Sequence, residues 1–448
     1  MNYKQSTFRV VMISCALMLA TFTQAAGPSS GTSIGEYHAP DPQLGSLISA
    51  LLEENPGIRS VWAESRSLYQ RVNQARSLPD PMLAYRYFVE TPETRVGPQE
   101  HALEVSQGIP WRAKRRLQGE QASLMADGST WKAAERERAA VALLKKTYFE
   151  AAYLQEAITV LDEERNLLQR FEEIALTRYS TGKGIQQSII KVQTDISRLD
   201  EKEFALRERL DVVQERLAEL IGRPGTRLAL SPITLPFTEL TVDVGELEAL
   251  AEKLHPAVRA VESRIEADRT WARRRVLEKK PDFKVGIGYT LVGTRDDPAG
   301  VLSPPPDNGS DILGVTFGVK IPLYRKKIRA GIAEAKHAVD RDEQVLNSVR
   351  NNLRYKVQQA ATRLDSLGER GRLYAAVIIP QAEQALSSAE AAYSTGRLGF
   401  LDLLDAERIL FQSRLAFHRL VSDTWIAASE LEEAIGRPFP SFAEESSQ

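Results

Sequence analysis

The chain repeats itself. Tyr179-Ser180-Thr181-Gly182 leads to Ile221-Gly222-Arg223-Pro224, and Tyr393-Ser394-Thr395-Gly396 leads to Ile435-Gly436-Arg437-Pro438. The offset from Tyr179 to Tyr393 equals that from Ile221 to Ile435. An identical tetrapeptide, an intervening stretch of equal length and an identical ending mark an internal duplication. Both copies must satisfy one architecture, which constrains the fold more than any local propensity. The repeated unit is a long helical hairpin that turns at its glycine, Gly182 or Gly396. No proline falls between Pro110 and Pro224. A helix from Trp111 to Tyr179 would be roughly 100 Å long at about 1.5 Å per residue.

A heptad pattern supports helices of that length. Leu154, Leu161, Leu168 and Ala175 recur every seven residues. On the return, Ile189, Ile196, Leu210 and Leu217 form one seam, interrupted by Glu203, while Val192, Leu199, Leu206, Val213 and Leu220 form another. The second copy has Leu346, Leu353, Ala360, Leu367 and Tyr374, then Leu403, Leu410, Phe417 and Leu431. Its partner seam is mostly small: Ala406, Ser413, Leu420, Ala427 and Ala434. A sustained seven-residue period predicts left-handed supercoiling. Pro380 is expected to bend the outgoing helix of the second copy.

Each hairpin is preceded by similar elements. Helices are expected from Leu44 to Glu54 and from Ile58 to Leu78, stopping at Pro79-Asp80-Pro81; their counterparts run from Leu247 to Leu254 and from Ala257 to Lys280, stopping at Pro281. The period then changes to two. Leu83, Tyr85, Tyr87 and Val89 alternate with Ala84, Arg86 and Phe88, and Leu103 and Val105 alternate with Ala102, Glu104 and Ser106. Phe283, Val285, Ile287, Tyr289 and Leu291, then Leu313, Val315, Phe317, Val319 and Ile321, repeat the pattern. Strict alternation reads as strands, joined by polar loops over Thr91–Gln99 and Gly293–Ser310. A small sandwich with one wet face is one way to use them. The other is a membrane barrel wall, because the strands have the ~10 residues that cross a bilayer obliquely. Four strands cannot close such a barrel, which needs about eight, so several chains would have to share it. Each strand pair ends in Ile-Pro and a basic cluster: Ile109-Pro110-Trp111-Arg112 with Lys114, Arg115 and Arg116, and Ile321-Pro322-Leu323-Tyr324-Arg325 with Lys326 and Lys327. Trp111 and Tyr324 would suit a membrane–water boundary.

The N-terminus reads as an export signal. Lys4 and Arg9 precede an apolar run from Val10 to Phe22, and Thr23-Gln24-Ala25 offers a cleavage site. Cys15, the only cysteine, lies in that run. The mature chain would then carry a formal charge of −4, with 60 acids against the 58 basic residues less Lys4 and Arg9. Nothing in that balance suggests nucleic acid.

Signals of enzymatic chemistry are missing. The five histidines, His38, His101, His255, His337 and His418, lack zinc-ligand spacing. Gly286-Ile287-Gly288 and Thr181-Gly182-Lys183 are incomplete as nucleotide-binding motifs, and no glycine-flanked serine elbow occurs. No catalytic, metal or cofactor site is expected. One constellation stands out: Asp402 and Asp405, whose spacing of three puts both carboxylates on one helix face. The first copy has Ser188 and Lys191 at the corresponding positions, so the repeat does not need the acids to fold. Compensation of a helix dipole would explain them equally well.

In this order, the elements resemble the TolC family of outer-membrane efflux channels. The resemblance runs from about residue 44 to 440. It rests on Pro79-Asp80-Pro81, the paired strands, Gln107-Gly108-Ile109-Pro110-Trp111, the long helix, Tyr-Ser-Thr-Gly and Ile-Gly-Arg-Pro, with Asp402-Leu403-Leu404-Asp405-Ala406 similar to that family's hairpin tip. The Pro-Asp-Pro and Ile-Pro-Trp segments are most similar to the cation-efflux branch. The resemblance implies a mainly α fold with a membrane β portion: long coiled-coil helices of an α-barrel in the periplasm, and four strands per chain in a twelve-stranded β-barrel shared by a homotrimer in the outer membrane. It implies a passive exit duct for metal cations or small organic compounds, with no enzymatic activity. Its expected partners are outer-membrane lipids, a periplasmic adaptor (membrane fusion protein) that contacts the tips at Gly182 and Gly396, and an inner-membrane efflux pump of the RND type. Asp402, Asp405 and Tyr393 fall at the family's periplasmic gate. Two gate positions depart from the family pattern: the expected arginine is Leu398, beside Arg397, and the expected acid is Ser188. The expected layout is a signal peptide over 1–25, an extended lead-in over 26–43, a first structural repeat over 44–224, a linker over 225–244, a second repeat over 245–440 and a tail over 441–448. A soluble periplasmic coiled-coil adaptor or scaffold is the alternative reading.

Overall fold

A computed structural model describes residues 41–240 and 242–437. The expected signal peptide with Cys15, the lead-in up to residue 40, Pro438 and the tail lie outside the described residues.

Prolines and their neighbours set the helix starts. Helix α1 (Pro42–Glu54) begins at a proline, and the Asp41 carboxylate accepts from the Leu44 N–H at 2.8 Å. Helix α2 (Pro56–Arg76) is capped in the same way by Asn55, whose amide also donates to the Leu220 carbonyl at 2.7 Å. One side chain thus starts one helix and closes another. Three strands follow, β1 (Met82–Tyr87), β2 (Glu93–Thr94) and β3 (Gly97–Ile109), then α3 (Arg112–Ser180) and α4 (Gln186–Leu220). Residues 244–435 run through the same order. They form α5 (Val244–Leu254), α6 (Pro256–Val276), β4 (Asp282–Val292), a short α7 (Pro298–Leu302), β5 (Ile312–Lys320), α8 (Arg325–Leu373), α9 (Ile379–Ser394) and α10 (Phe400–Ile435).

Both strand loops are more ordered than their composition suggests. In the first, β2 pairs with Gly97 and Pro98, because Gly97 takes a φ of 128° that closes a tight turn. In the second, the Asp297 carboxylate caps the Gly300 N–H at 3.1 Å and starts α7.

The main sheet is antiparallel throughout, in the order β1-β3-β4-β5, so the two halves of the chain meet at β3 and β4. Register separates its faces. Leu83, Val105, Ile287 and Val315 lie in one row, and Tyr85, Leu103, Tyr289 and Leu313 in the next. The opposite face carries Ala84, Glu104, Gly288 and Gly314, then Arg86, Ala102, Thr290 and Ile312. Nothing among the described residues covers the apolar rows: Leu83 is 67% exposed, Phe317 71% and Val315 74%. Strands β1 and β5 each have a partner on one side only.

The helices pack through the expected seams. Leu154, Leu161, Leu168 and Ala175 are at most 2% exposed. Glu203, the break in the seam, is bound by Arg165 of α3 and Arg207 of its own helix, so charge pairing replaces apolar contact there. The expected bend at Pro380 takes a definite form. Proline offers no N–H to the preceding turn, and Tyr374–Ile378 winds as a π-turn between α8 and α9. The segment between α4 and α5 packs as a strap: the Ile233 N–H donates to Gln155 at 3.0 Å, and the Trp425 indole donates to the Pro236 carbonyl at 3.1 Å. No helix among the described residues is long and apolar enough to cross a membrane.

Candidate functional site at the hairpin tips

Both long hairpins reverse through one backbone device. The Lys183 N–H donates to the Arg178 carbonyl at 2.8 Å and the Gly182 N–H to the Tyr179 carbonyl at 3.0 Å. Arg397 and Gly396 repeat this with Ala392 and Tyr393 at 2.9 and 3.0 Å. This helix ending requires a left-handed residue, and Gly182 and Gly396 supply it at φ 74° and 78°. Space around a Cβ at Gly182 is open, whereas one at Gly396 would lie 3.5 Å from the Arg178 guanidinium.

Arg178 joins the two tips. Its guanidinium donates to the Tyr393 carbonyl and stands 4.5 Å from the centre of the Tyr393 ring. The ring is 7% exposed and packs on Phe400 at 5.5 Å between centroids. Burial pushes the Tyr393 phenol above its ordinary value against the opposing effect of Arg178. Tyr393 is therefore a wedge gripped by the other hairpin. Leu398 packs against the same apolar cluster.

Asp402 and Asp405 are exposed at the start of α10, on one face, with no ion pair or hydrogen bond among the described residues. Asp402 lies in the first turn, over Gly399, where a Cβ would come within 2.9 Å of its carboxylate. That placement complements the helix dipole. Asp405 lies beyond the first turn and gains little from it.

Farther along the hairpins is an acidic pair that the heptad pattern does not show. Glu164 of α3 and Glu407 of α10 are 9% and 3% exposed and hydrogen-bond to each other. Asp195 and Lys202 of α4 and Arg408 of α10 also face them. Burial, reinforced by the neighbouring Glu164 carboxylate, raises Glu407 to about 8, and burial raises Glu164 as well. One proton stays between the hairpins at neutral pH. The signal for these residues is repeat asymmetry: at the offset of the duplication, Arg178 corresponds to Ala392 and Gln193 to Glu407.

Two outcomes follow from this geometry. Arg178→Ala removes a cation–π contact and a charged hydrogen bond, together about 1–2 kcal/mol. Amide exchange over residues 389–411 should then speed up by roughly 5- to 30-fold, and unchanged exchange would mean that Arg178 does not hold the tips. Glu407 keeps its proton in the folded state to a higher pH than in an unfolded chain. Its contribution is complete below the ordinary glutamate range and is lost as pH rises towards about 8. The wild-type melting temperature should fall between pH 5 and pH 8.5, and Glu407→Gln should flatten that fall; equal slopes in the two proteins would contradict the shared proton.

Comparison with known proteins places this geometry. The model of the family described as outer membrane efflux protein matches residues 249–437. The cobalt-zinc-cadmium resistance protein CzcC of Cupriavidus metallidurans is 22% identical over 404 residues, covering 88% of this chain and 90% of that one. The outer membrane protein TolC of Vibrio cholerae is 22% identical over 408 residues, with the same coverage. Among solved structures, the outer membrane protein VceC of Vibrio cholerae superposes with a TM-score of 0.72 at 18% identity, covering 89% of this chain and 97% of that one. With its duplicated hairpins and two-faced sheet, the chain shares the fold of these outer-membrane proteins, and its second half matches the outer membrane efflux protein family.

Proposed function

We propose that this protein is the outer-membrane channel of a tripartite efflux system, a passive duct that takes cargo from an inner-membrane pump to the outside. The observation that carries this reading is the open, two-faced sheet. Its apolar rows have no cover among the described residues, and each outer strand has a free edge. Lipid on the apolar face and copies of the chain at the edges satisfy both needs. Three copies of the four long strands give a twelve-stranded barrel, above the minimum of about eight. A soluble adaptor would leave the apolar face in water, so that alternative is set aside.

In this arrangement the long hairpins continue into the periplasm. Their tips, at Gly182 and Gly396, meet a periplasmic adaptor, which links to an RND-type pump. The channel performs no catalysis; it supplies a path and a gate. Tyr393, Asp402 and Asp405 form that gate, with Arg178 holding Tyr393 between the hairpins. Metal cations are the favoured cargo, with small organic compounds as the other class. Support comes from the cobalt-zinc-cadmium resistance protein among the relatives and from two exposed, unpaired acids near the second tip.

Three chains would bring six of these carboxylates to the narrow end of the duct. Like charges gathered there attract cations and exclude anions. In planar bilayers the purified protein should form cation-selective pores blocked by multivalent cations. Asp402→Ala with Asp405→Ala should lower that selectivity and weaken the block by roughly tenfold or more. Unchanged selectivity and block in a double variant that still forms pores would reduce the acids to helix-end decoration, and failure of the wild type to form pores would overturn the channel itself.

A further inference from the structure

A cavity of about 530 Å³ lies between the end of α2 and the start of α3. Arg76, Arg112, Arg115 and Arg116 line it, and none of the four guanidinium groups has an ion-pair or hydrogen-bond partner among the described residues. Other arginines of the long helices are partnered, as Arg165, Arg207, Arg414 and Arg419 are. The one acid in the lining, Glu120, is engaged elsewhere: its carboxylate takes a bond from Arg273 at 2.9 Å.

The cluster opposes the local electrostatics. Three of its arginines fall in the first turns of α3, at the positive end of the helix dipole. The first turn has no acid, and Trp111 provides no side-chain cap. The four guanidinium groups together form a receptor for an oxyanion.

The fourth arginine is set in place by a glycine. A Cβ on Gly119 would lie 2.3 Å from Arg76 Cγ, so the Arg76 stem crosses α3 where no side chain stands. The second half has the same arrangement. Gly331 follows Pro322 at the spacing by which Gly119 follows Pro110, and it faces Arg275 at 3.5 Å from its would-be Cβ. There the charge is cancelled internally: Arg275 binds Glu278 at 2.7 Å and Glu334 at 3.4 Å. By the same alignment of the two prolines, the first-half counterpart of Glu334 is Ala122. Duplication thus produced two arginine-over-glycine sites, one neutralised by the chain and one left open.

We propose that the open site binds a phosphate group, that of an anionic phospholipid headgroup. This rests on the membrane reading of the sheet, which also points to the source. Trp111, immediately before Arg112, stands 6.3 Å from Phe283. Phe283 pairs with Ile109 and Val319 at the end of the apolar rows. The cavity therefore begins where the apolar face stops, at the depth of lipid phosphates, and arginine clusters at that depth select anionic lipid.

The test uses the full-length protein, purified and exposed to equal amounts of phosphatidylglycerol and phosphatidylcholine, with retained lipids counted by native mass spectrometry. Wild type should retain phosphatidylglycerol roughly tenfold over phosphatidylcholine. Arg115→Gln with Arg116→Gln should remove most of that preference. Gly119→Ala, which displaces Arg76 without removing charge, should reduce it severalfold, whereas Arg275→Gln in the second half should leave it intact. No preference in wild type, or a preference untouched by both first-half variants, would overturn the site. Displacement of the lipid by inorganic phosphate at similar concentration would overturn the lipid as its ligand. Flotation with vesicles separates the two readings: a chain that floats with both lipids but shows no preference refutes only this site, while a chain that floats with neither refutes the membrane reading beneath it.

Discussion

Everything else in this protein depends on a sheet that cannot be completed by its own chain. Four long antiparallel strands present continuous apolar rows on one side and glycine, threonine and charge on the other. Water penalises the first side, and unpaired strand edges invite further pairing. A membrane and additional copies of the chain remove both penalties at once. The long helices then follow from geometry, since a barrel wall made by several chains needs equivalent supports beneath it. Each half of the chain supplies one, built from a proline-started helix pair and a hairpin.

Duplication gives the protein its frame, and departures from duplication give it its working parts. The turns at Gly182 and Gly396 are the same in hydrogen bonding and in φ. Arg178 breaks the symmetry, because its counterpart is Ala392, and it grips the second tip. Glu407 breaks it again, replacing a glutamine with an acid that shares a proton across the hairpins. Arg275 is neutralised where Arg76 is not. In each case one copy carries an ionisable group whose setting the other copy does not repeat.

Much of the frame was legible in the sequence. Period two gave the strands and their outward rows, and period seven gave the buried seams. Prolines gave the helix starts within one or two residues, as at Pro56 and Pro256. The loops were harder. The β2 pairing and helix α7 depend on one glycine φ and one aspartate cap, which composition does not show. Pro380 announced an irregularity, but only the structure shows that a π-turn absorbs it. At the tips, the glycines and exposed acids could be read directly. Arg178 and the Glu164–Glu407 pair could not, since their roles arise from contacts between the first half of the chain and the second. Comparing the copies position by position exposes such residues as charges present in only one of them.

Closure of the sheet between copies is the claim on which the rest stands, and cysteine pairing tests it directly. One cysteine would replace Ala84 on β1 and a second would be scanned over Gly314, Thr316 and Gly318 on β5, all on the polar face. These positions lie on the two outer strands, with two strands between them in the chain. Closure predicts disulfide-linked dimers and trimers that require both cysteines and favour one register of the scan. Monomers at every position, in a protein that salt alone releases from the membrane, would contradict it.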